Sequence, residues 1–183
     1  LKKIVITGGL GYIGTELCKI YSGVSWHHKI TVIDNRFISE RVNQIRNWNM
    51  EFVHGDILDK EFIYKHCKDA DIVHHLAGIT DVPRTSREST KDKDNKIKLV
   101  GEKGTQNILE AINNKCKIIF PSTHVVYEGI SKVKNDIKED EEFKPVLSYS
   151  SSKAANERQL KKSGKNYIIL RLGSVYGYST DTT

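Results

Sequence analysis

Tyr149 and Lys153 are the two side chains of this sequence best suited to move a proton to or from a substrate. They stand four positions apart in the run YSSSK, which opens a predicted helix, so both project from one helical face. A nearby ammonium group favours phenolate, and we therefore expect Lys153 to lower the tyrosine pKa from about 10. The phenolate can then take a proton from a substrate hydroxyl near neutral pH. Taken alone, the Y-x-x-x-K spacing is common and also fits an ordinary surface pair.

Thr123 is a second candidate for proton transfer, because it lies at the end of the predicted strand that finishes with Phe120-Pro121-Ser122-Thr123. The carboxyl edge of a parallel sheet is where ligands bind. A threonine hydroxyl at this edge can hydrogen-bond the reacting oxygen and share its proton. It can also simply cap a turn. His124 follows, and it either touches a substrate or occupies a surface turn.

A glycine-rich turn joins the first predicted strand to the first predicted helix. Gly9, Gly11 and Gly14 satisfy the pattern G-x-G-x-x-G within the run TGGLGYIG. Glycines permit a tight turn and let the backbone approach a pyrophosphate. The start of the helix offers free N–H groups and the positive end of the helix dipole. The alternative is a glycine turn that only packs tightly.

Asp34 completes a dinucleotide-binding pattern, because it ends the next predicted strand 20 residues after Gly14. A carboxylate there can accept hydrogen bonds from both hydroxyls of the adenosine ribose, and it repels a 2′-phosphate. The joint spacing of glycines and carboxylate predicts NAD rather than NADP as the cofactor. Arg36 is close enough to weaken that preference.

Further cofactor contacts are predicted at the ends of the third and fourth strands. Asp56 can bond the adenine amino group or serve as a turn residue. Small residues in the run HLAG let a cofactor lie against the backbone, and Lys153 can hold the nicotinamide ribose. His74 and His75 are adjacent in a strand, so they face opposite sides and no metal site is predicted. The predicted cofactor-binding residues are Gly8, Gly11, Tyr12, Ile13, Gly14, Asp34, Asn35, Asp56, Ile57, Leu76, Ala77, Gly78, Ser122, Tyr149 and Lys153.

The elements that must position these residues alternate along the chain. Short apolar runs predict strands over residues 3–7, 29–34, 50–54, 71–76, 117–120 and 167–172. Helices are predicted over residues 12–21, 39–48, 59–67, 94–114 and 149–162, and a loop over 128–147. Alternating strands and helices with right-handed crossovers predict an α/β fold with a doubly wound parallel sheet of the Rossmann type.

The composition is typical of one globular domain over residues 1–183, with 38% hydrophobic and 28% charged residues. The net charge of +6 comes from scattered lysines interleaved with acids, so no nucleic-acid partner is predicted. No apolar run approaches the roughly 20 residues of a membrane span, and no charged-then-apolar leader is present. With three widely spaced cysteines in no metal-ligand spacing, we expect a reduced, cytoplasmic protein.

Taken together, these motifs resemble the extended branch of the short-chain dehydrogenase/reductase superfamily, the NAD-dependent sugar epimerases and dehydratases. The matching runs are TGGLGYIG, DN, GDI, HLAG, STHVVY, YSSSK and RLGSVYG, and they cover nearly the whole chain in family order. The resemblance implies that Tyr149 removes a proton from a sugar hydroxyl while hydride leaves the same carbon for NAD. It also implies that Thr123 assists through its hydroxyl and that Lys153 holds the ribose and tunes the tyrosine.

The two positions after Thr123 bear on which member of the family this chain resembles. Family 4,6-dehydratases carry an acidic pair there, where this chain has His124 and Val125, which argues against a dehydratase. The DN and HLAG runs are similar to UDP-galactose 4-epimerases in particular. Two family asparagines are replaced by Gly101 and Ser174, so a relative acting on another nucleotide sugar stays open. The predicted substrate-binding residues are Thr123, His124 and Ser174.

The resemblance implies further features beyond these motifs. Family enzymes continue into a smaller lobe that binds the nucleotide sugar, so we expect residues 1–183 to form an NAD-binding domain without its substrate lobe. A homodimer through the long helix and the Tyr149 helix is also expected. The leading interpretation is a UDP-glucose 4-epimerase-like enzyme. The alternatives are an NAD(P)H-consuming reductase, a dehydratase and a non-catalytic NAD-binding module.

Overall fold

Six parallel strands form one sheet in the order β3-β2-β1-β4-β5-β6. This is a computed structural model, and it describes residues 1–80, 85, 87–132 and 134–177. The strands are β1 (Lys2–Thr7), β2 (His28–Asp34), β3 (Glu51–His54), β4 (Ile72–His75), β5 (Lys117–Thr123) and β6 (Asn166–Leu172). This strand order is that of a doubly wound dinucleotide-binding sheet, so the predicted α/β fold is confirmed.

The helices between the strands follow the predicted order. They are α1 (Tyr12–Ser22), α2 (Ser39–Asn47), α3 (Lys60–Cys67), α4 (Lys91–Lys98), α5 (Gly104–Ala111) and α6 (Ser148–Lys162). Short 3₁₀ turns cover Ser25–His27 and His124–Tyr127. The described part of the predicted loop 128–147 contains neither helix nor strand up to residue 147.

The central strand β1 separates two hydrophobic cores, because its successive side chains point to opposite faces of the sheet. Ile4 and Ile6 belong to one core, and Val5 belongs to the other. The first core also contains residues of α1 and α2: Cys18, Val42 and Ile45. The second contains residues of α3, α5 and α6: Ile63, Ile108 and Leu160. Helices therefore cover both faces, and the sheet's carboxyl edge gathers the loops that carry the candidate site.

The helix predicted over residues 94–114 is interrupted, which the periodicity of its apolar residues did not reveal. A π-helical segment, Leu99–Lys103, joins α4 to α5. The Gly101 carbonyl accepts a 3.0 Å hydrogen bond from the Asn156 side chain of α6. The Glu102 carbonyl accepts one of 3.0 Å from the Gln159 side chain of the same helix. A Cβ at Gly101 would lie 2.2 Å from an α6 serine hydroxyl. Glycine here thus allows the close approach of α6, whose side-chain amides bond carbonyls of the π-helical segment.

Two buried histidines at the end of β4 point to opposite faces of the sheet, as predicted. His75 contacts the hydroxyls of Thr7 through Nδ1 at 2.9 Å and of Thr105 through Nε2 at 3.1 Å. His74 Nε2 lies 2.8 Å from the hydroxyl of Tyr21. Burial lowers the pKa of His75 to about 3 and that of His74 to about 4. Both rings are therefore neutral members of the core at physiological pH.

Candidate cofactor and catalytic site

The glycine-rich turn is closed by backbone hydrogen bonds to β2 and within itself. Gly8 donates to the Ile33 carbonyl at 2.7 Å, and Gly11 donates to the Gly8 carbonyl at 3.1 Å. Gly8 has φ of 70°, and a Cβ there would lie 2.6 Å from the backbone nitrogen of Ala77. The turn therefore needs glycine at this position for its conformation and for its approach to the end of β4.

We predict that Gly8→Ala unfolds at a lower temperature than the parent and binds NAD more weakly. The substitution combines a left-handed backbone, which costs roughly 1–2 kcal/mol, with a clash against backbone atoms that cannot move aside. Gly164→Ala is the matched control, because Gly164 has φ of 68° and a Cβ added there would meet no atom of the described residues within 4 Å. Thermal unfolding and NAD titration should show a clearly larger loss for Gly8→Ala. Equal losses would mean that the contact with β4 is unimportant.

The open side of the turn can accept a phosphate group. Around Gly11, a Cβ would meet, within the described part of the chain, only the Gly8 carbonyl at 3.2 Å and the Arg36 guanidinium at 3.7 Å. Gly11 is the N-cap of α1, and no described side chain accepts a hydrogen bond from the first turn of this helix. Tyr12, Ile13 and Gly14 thus begin a helix whose first N–H groups are free of side-chain caps, which suits an anion. Gly14 itself packs against the turn, since its Cβ would lie 2.3 Å from the Gly8 carbonyl.

The Asp34 carboxylate joins the end of β2 to this turn. It is 6% exposed and accepts hydrogen bonds of 2.9 Å from the backbone N–H groups of Leu10 and Arg36. The Arg36 side chain lies 3.5 Å from the same carboxylate, and the buried Arg41 side chain donates to the Leu10 carbonyl. Each carboxylate oxygen has a second acceptor position, and that of Oδ1 faces Arg36 Nε at 3.5 Å. The group can therefore hold the turn and accept bonds from two ribose hydroxyls once the Arg36 side chain moves aside.

The predicted adenine contacts lie beside Asp34 but differ in what their side chains can offer. Asn35 donates to Asp56 at 2.9 Å, and Asp56 also accepts a 2.9 Å bond from the Leu58 backbone. The alternative role of Asp56 as a turn residue is thus realised. Ile57 is 5% exposed and packs in the core below α5, so its side chain is structural. The run Leu76, Ala77 and Gly78 follows β4, with Leu76 and Ala77 half-buried and Gly78 exposed.

Lys153 reaches the end of β5, and Tyr149 lies one helical turn before it on α6. Lys153 Nζ donates a 2.9 Å hydrogen bond to the Pro121 carbonyl. It also lies 4.5 Å from the ring centre of Phe120 and 5.8 Å from that of Tyr149. Thr123 is 8% exposed, and its hydroxyl oxygen accepts a 3.3 Å bond from the Val125 backbone. It therefore caps the following turn, and its hydroxyl hydrogen is not used in that bond.

The expected lowering of the Tyr149 pKa is wrong for the protein without cofactor. Burial raises the pKa of Tyr149 above its usual value of 10.0. Lys153 faces the Pro121 carbonyl and the aromatic rings, so its ammonium does not offset that burial. The same removal from water lowers the pKa of Lys153 to about 8, and the charge of Glu157 opposes this shift. The burial of the tyrosine, which a sequence does not specify, decided the outcome.

Ser122 is predicted to bind the cofactor, but its hydroxyl is engaged elsewhere. It donates a 2.6 Å hydrogen bond to the buried carboxylate of Glu157 on α6. The same carboxylate receives the guanidinium of Arg171 at 2.8 Å. Sequence reasoning missed this ion pair. The available signal was the position of Glu157, one helical turn beyond Lys153 on the face of α6 that turns inward.

The remaining predicted substrate residues lie at the same edge of the sheet. His124 is exposed, and its Nδ1 donates a 3.2 Å hydrogen bond to the carbonyl of Leu172. Ser174 is exposed two residues beyond the end of β6. Thr123 pairs in register with Leu172, so all three predicted substrate residues lie at or just beyond the ends of neighbouring strands. No group of three potential metal ligands and no helix able to cross a lipid bilayer occurs among the described residues.

Comparisons with known proteins agree with this architecture. The family model of the NAD dependent epimerase/dehydratase family matches residues 4–183. A dTDP-D-glucose 4,6-dehydratase of Dictyostelium discoideum is 31% identical over 97% of this chain and 44% of its own length. A UDP-N-acetylglucosamine 4-epimerase from Methanobrevibacter ruminantium, solved with UDP-N-acetylmuramic acid, is 30% identical with a TM-score of 0.74, covering 93% of this chain and 54% of its own.

A third relative is the enzyme WbmH of Bordetella bronchiseptica, solved with NAD+. It has a TM-score of 0.81 and 27% identity, and the match covers 100% of this chain and 59% of that one. The chain thus spans about half the length of the relatives it matches. The resemblance inferred from the motifs is confirmed, and the chain belongs to the NAD dependent epimerase/dehydratase family.

Proposed function

We propose that this chain is the NAD-binding part of a nucleotide-sugar epimerase that acts by transient oxidation of a sugar hydroxyl. The observation that carries the proposal is the contact of Lys153 with the end of β5, which brings the helix of Tyr149 next to the strand of Thr123. Lys153 reaches the Pro121 carbonyl at 2.9 Å, Tyr149 lies one helical turn before it, and Thr123 lies two residues along the strand. The glycine-rich turn opens at the same edge.

The residues around the turn fit NAD. The N–H groups at the start of α1 would receive the pyrophosphate, and Asp34 would accept bonds from the adenosine ribose. Gly11 leaves open space on the ligand side, where a side chain would intrude. The carboxylate of Asp34 is buried beside the turn, so a 2′-phosphate would meet its negative charge. Lys153, which already lies at the end of β5, would hold the second ribose.

The chain's own groups would perform the proton transfers. Bound NAD supplies the reversible oxidation of the sugar carbon. Tyr149 in its phenolate form would accept the proton of the sugar hydroxyl and later return it to the turned-over sugar. Thr123 would donate a hydrogen bond to the sugar oxygen, because its own oxygen is already held by the Val125 N–H group. Lys153 would keep its positive charge near the phenolate, which favours that form once cofactor and substrate are in place.

An epimerase is favoured over a dehydratase by the residues that follow Thr123. Water elimination needs an acid and a base at the edge, and this chain offers His124 and Val125 at the two positions after the threonine. The intact Tyr149 and Lys153 argue against a non-catalytic module, which needs neither group. A reductase stays distinguishable by its net consumption of NADH or NADPH.

We propose that the nucleotide of the substrate is held by a second part of the protein, since about half of each compared relative lies outside the matched region. His124 and Ser174, exposed next to Thr123, would contact the sugar from this side.

The three cysteines are free and buried, which supports a reducing, cytoplasmic location.

The function is tested with the full-length protein, incubated with UDP-galactose without added cofactor. The anomeric proton signals are followed by NMR. New UDP-glucose signals would establish a 4-epimerase that retains its NAD. Unchanged signals would remove UDP-galactose as the substrate, and other nucleotide sugars would follow. Oxidation of added NADH or NADPH in those assays would contradict the epimerase and favour the reductase.

We propose that the protein is a homodimer through the outer face of α4, α5 and α6. Leu99 is 54% exposed on this face, in a groove lined also by Lys98, Glu102 and Gln159. Leu99→Lys should therefore shift the mass measured by light scattering from dimer to monomer. Ile20→Lys is the matched control, because Ile20 is 73% exposed on α1 at the other face of the sheet. A monomeric parent protein would reject the dimer.

A further inference from the structure

Glu157 is a fully buried carboxylate that the proposed reaction does not use. It lies on α6, with 0% of its surface exposed. Its Oε1 accepts 2.6 Å from the Ser122 hydroxyl and 3.0 Å from Nε of Arg171, and its Oε2 accepts 2.8 Å from Nη2 of Arg171. Removing a carboxylate from water is costly unless it is paired and hydrogen-bonded. Ser122 and Arg171 therefore supply hydrogen-bond donors to both oxygens of the Glu157 carboxylate.

Arg171 is itself fixed from several sides. Its guanidinium lies 5.4 Å from the ring centre of Tyr127 and 4.8 Å from that of Phe143, and it donates 2.6 Å to the Glu139 carbonyl. It also donates to the Tyr127 hydroxyl. Because Arg171 lies on β6 and is held by residues 127–143, the carboxylate it orients has little freedom.

The end of β5 is thus attached to α6 at two points. Lys153 bonds the carbonyl of Pro121, and Glu157 bonds the hydroxyl of Ser122. Thr123 is the next residue along the strand. Lys153 and Glu157 are one helical turn apart on the helix that begins with Ser148 and Tyr149. Small displacements of reacting groups cost catalytic rate, so this attachment fixes the distance between the threonine and the tyrosine.

We propose that Glu157, oriented by Arg171, is a positioning residue that holds Thr123 in place against the helix of Tyr149 and Lys153 through its hydrogen bond to Ser122. The proposal rests on the proposed function, in which Thr123 contacts the sugar oxygen. The group that matters is the hydrogen-bond acceptor at position 157, and Arg171 serves to aim it.

Two double variants of the full-length protein isolate that acceptor. Glu157→Gln/Arg171→Met keeps an oxygen for the Ser122 hydroxyl, whereas Glu157→Leu/Arg171→Met removes it. Both lack the Glu157–Arg171 pair, so neither leaves one of these two ions buried without the other. Glu110→Gln on α5 is the surface control, because it neutralises an exposed carboxylate that pairs with Lys60 at 2.7 Å.

We expect the leucine variant to lose about tenfold or more in kcat, with KM and NAD affinity within about twofold, and the glutamine variant to recover most of the rate. Adding Thr123→Val should remove the difference between them, because groups that act through one another are not additive. Equal kcat in the two double variants would overturn the proposal.

A second measurement needs no turnover and so separates this proposal from the proposed function. The methyl group of Thr123 is observed by carbon-13 NMR and assigned with Thr123→Val. Its signal should move or broaden in the leucine variant and stay near the parent position in the glutamine variant. An unmoved signal in the leucine variant would overturn the positioning role. A moved signal with no turnover of any nucleotide sugar by the parent would instead count against the proposed function.

Discussion

Tyr149→Phe is expected to reduce turnover of the nucleotide-sugar substrate by about 10³-fold while leaving NAD affinity within about twofold. The change removes only the phenolic oxygen. The ring stays on α6, where Lys153 Nζ lies 5.8 Å from its centre. Binding of the cofactor rests on the glycine turn, Asp34 and Lys153, so it should persist. The measurement is the progress of the reaction in the full-length protein, beside a fluorescence titration with NAD.

The pH dependence of the parent protein provides a second test of this role. The reaction needs the phenolate, and burial raises the pKa of Tyr149 in the free protein. The fraction of phenolate therefore grows as pH rises, and kcat/KM, which reports the free enzyme, should increase with pH through neutrality. Loss of the proton from Lys153, whose pKa is about 8, should oppose this rise on the alkaline side.

The control for Tyr149→Phe is Tyr64→Phe, because Tyr64 is 55% exposed on α3, away from the sheet's carboxyl edge. It should turn over at the parent rate. A Tyr149→Phe protein as active as Tyr64→Phe would show that another group moves the proton. Loss of both turnover and NAD binding would instead indicate that the ring is needed to build the cofactor site.

Local sequence patterns predicted the parts of the site that lie within one continuous segment of the chain. The glycine run and Asp34 are such features, because a strand, a tight turn and a helix start each require particular residue types in sequence. The doubly wound parallel sheet also follows from alternating elements and right-handed crossovers. The chemistry of Asp34 beside the turn could therefore be predicted from sequence.

Contacts between distant elements were not predictable in the same way. The bond from Ser122 to Glu157 joins β5 to α6, and the partner of Glu157 is Arg171 on β6. Nothing in the run YSSSK states that Lys153 turns to the Pro121 carbonyl, or that Tyr149 is buried enough for its pKa to rise. Likewise Ile57 belongs to the run GDI, but its side chain packs in the hydrophobic core.

We expect the protein to lose much of its stability on mild acidification, because two histidines are buried in neutral form. The pKa of His75 is about 3 and that of His74 about 4, against an ordinary 6.5. Below pH 6.5 the unfolded chain binds protons that the folded chain does not, so the free energy of unfolding falls as pH falls. At pH 4 the titration of each histidine lowers the free energy of unfolding by about 3 kcal/mol. Together the two offset a large part of the roughly 5–15 kcal/mol that is the typical free energy of unfolding of a protein.

His75→Gln separates this effect from the titration of carboxylates. The variant lacks the bonds to Thr7 and Thr105, so it should be less stable at pH 7. Its free energy of unfolding is measured in urea between pH 4.5 and 6.5. This free energy should depend less steeply on pH than that of the parent protein, by up to about 1.4 kcal/mol per pH unit. His27→Gln is the control, since His27 is exposed on the turn before β2, and its slope should equal that of the parent. An unchanged slope in His75→Gln would mean that His75 is protonated within the fold, in which case Thr7 and Thr105 would have to accept bonds from a charged ring at the centre of the sheet.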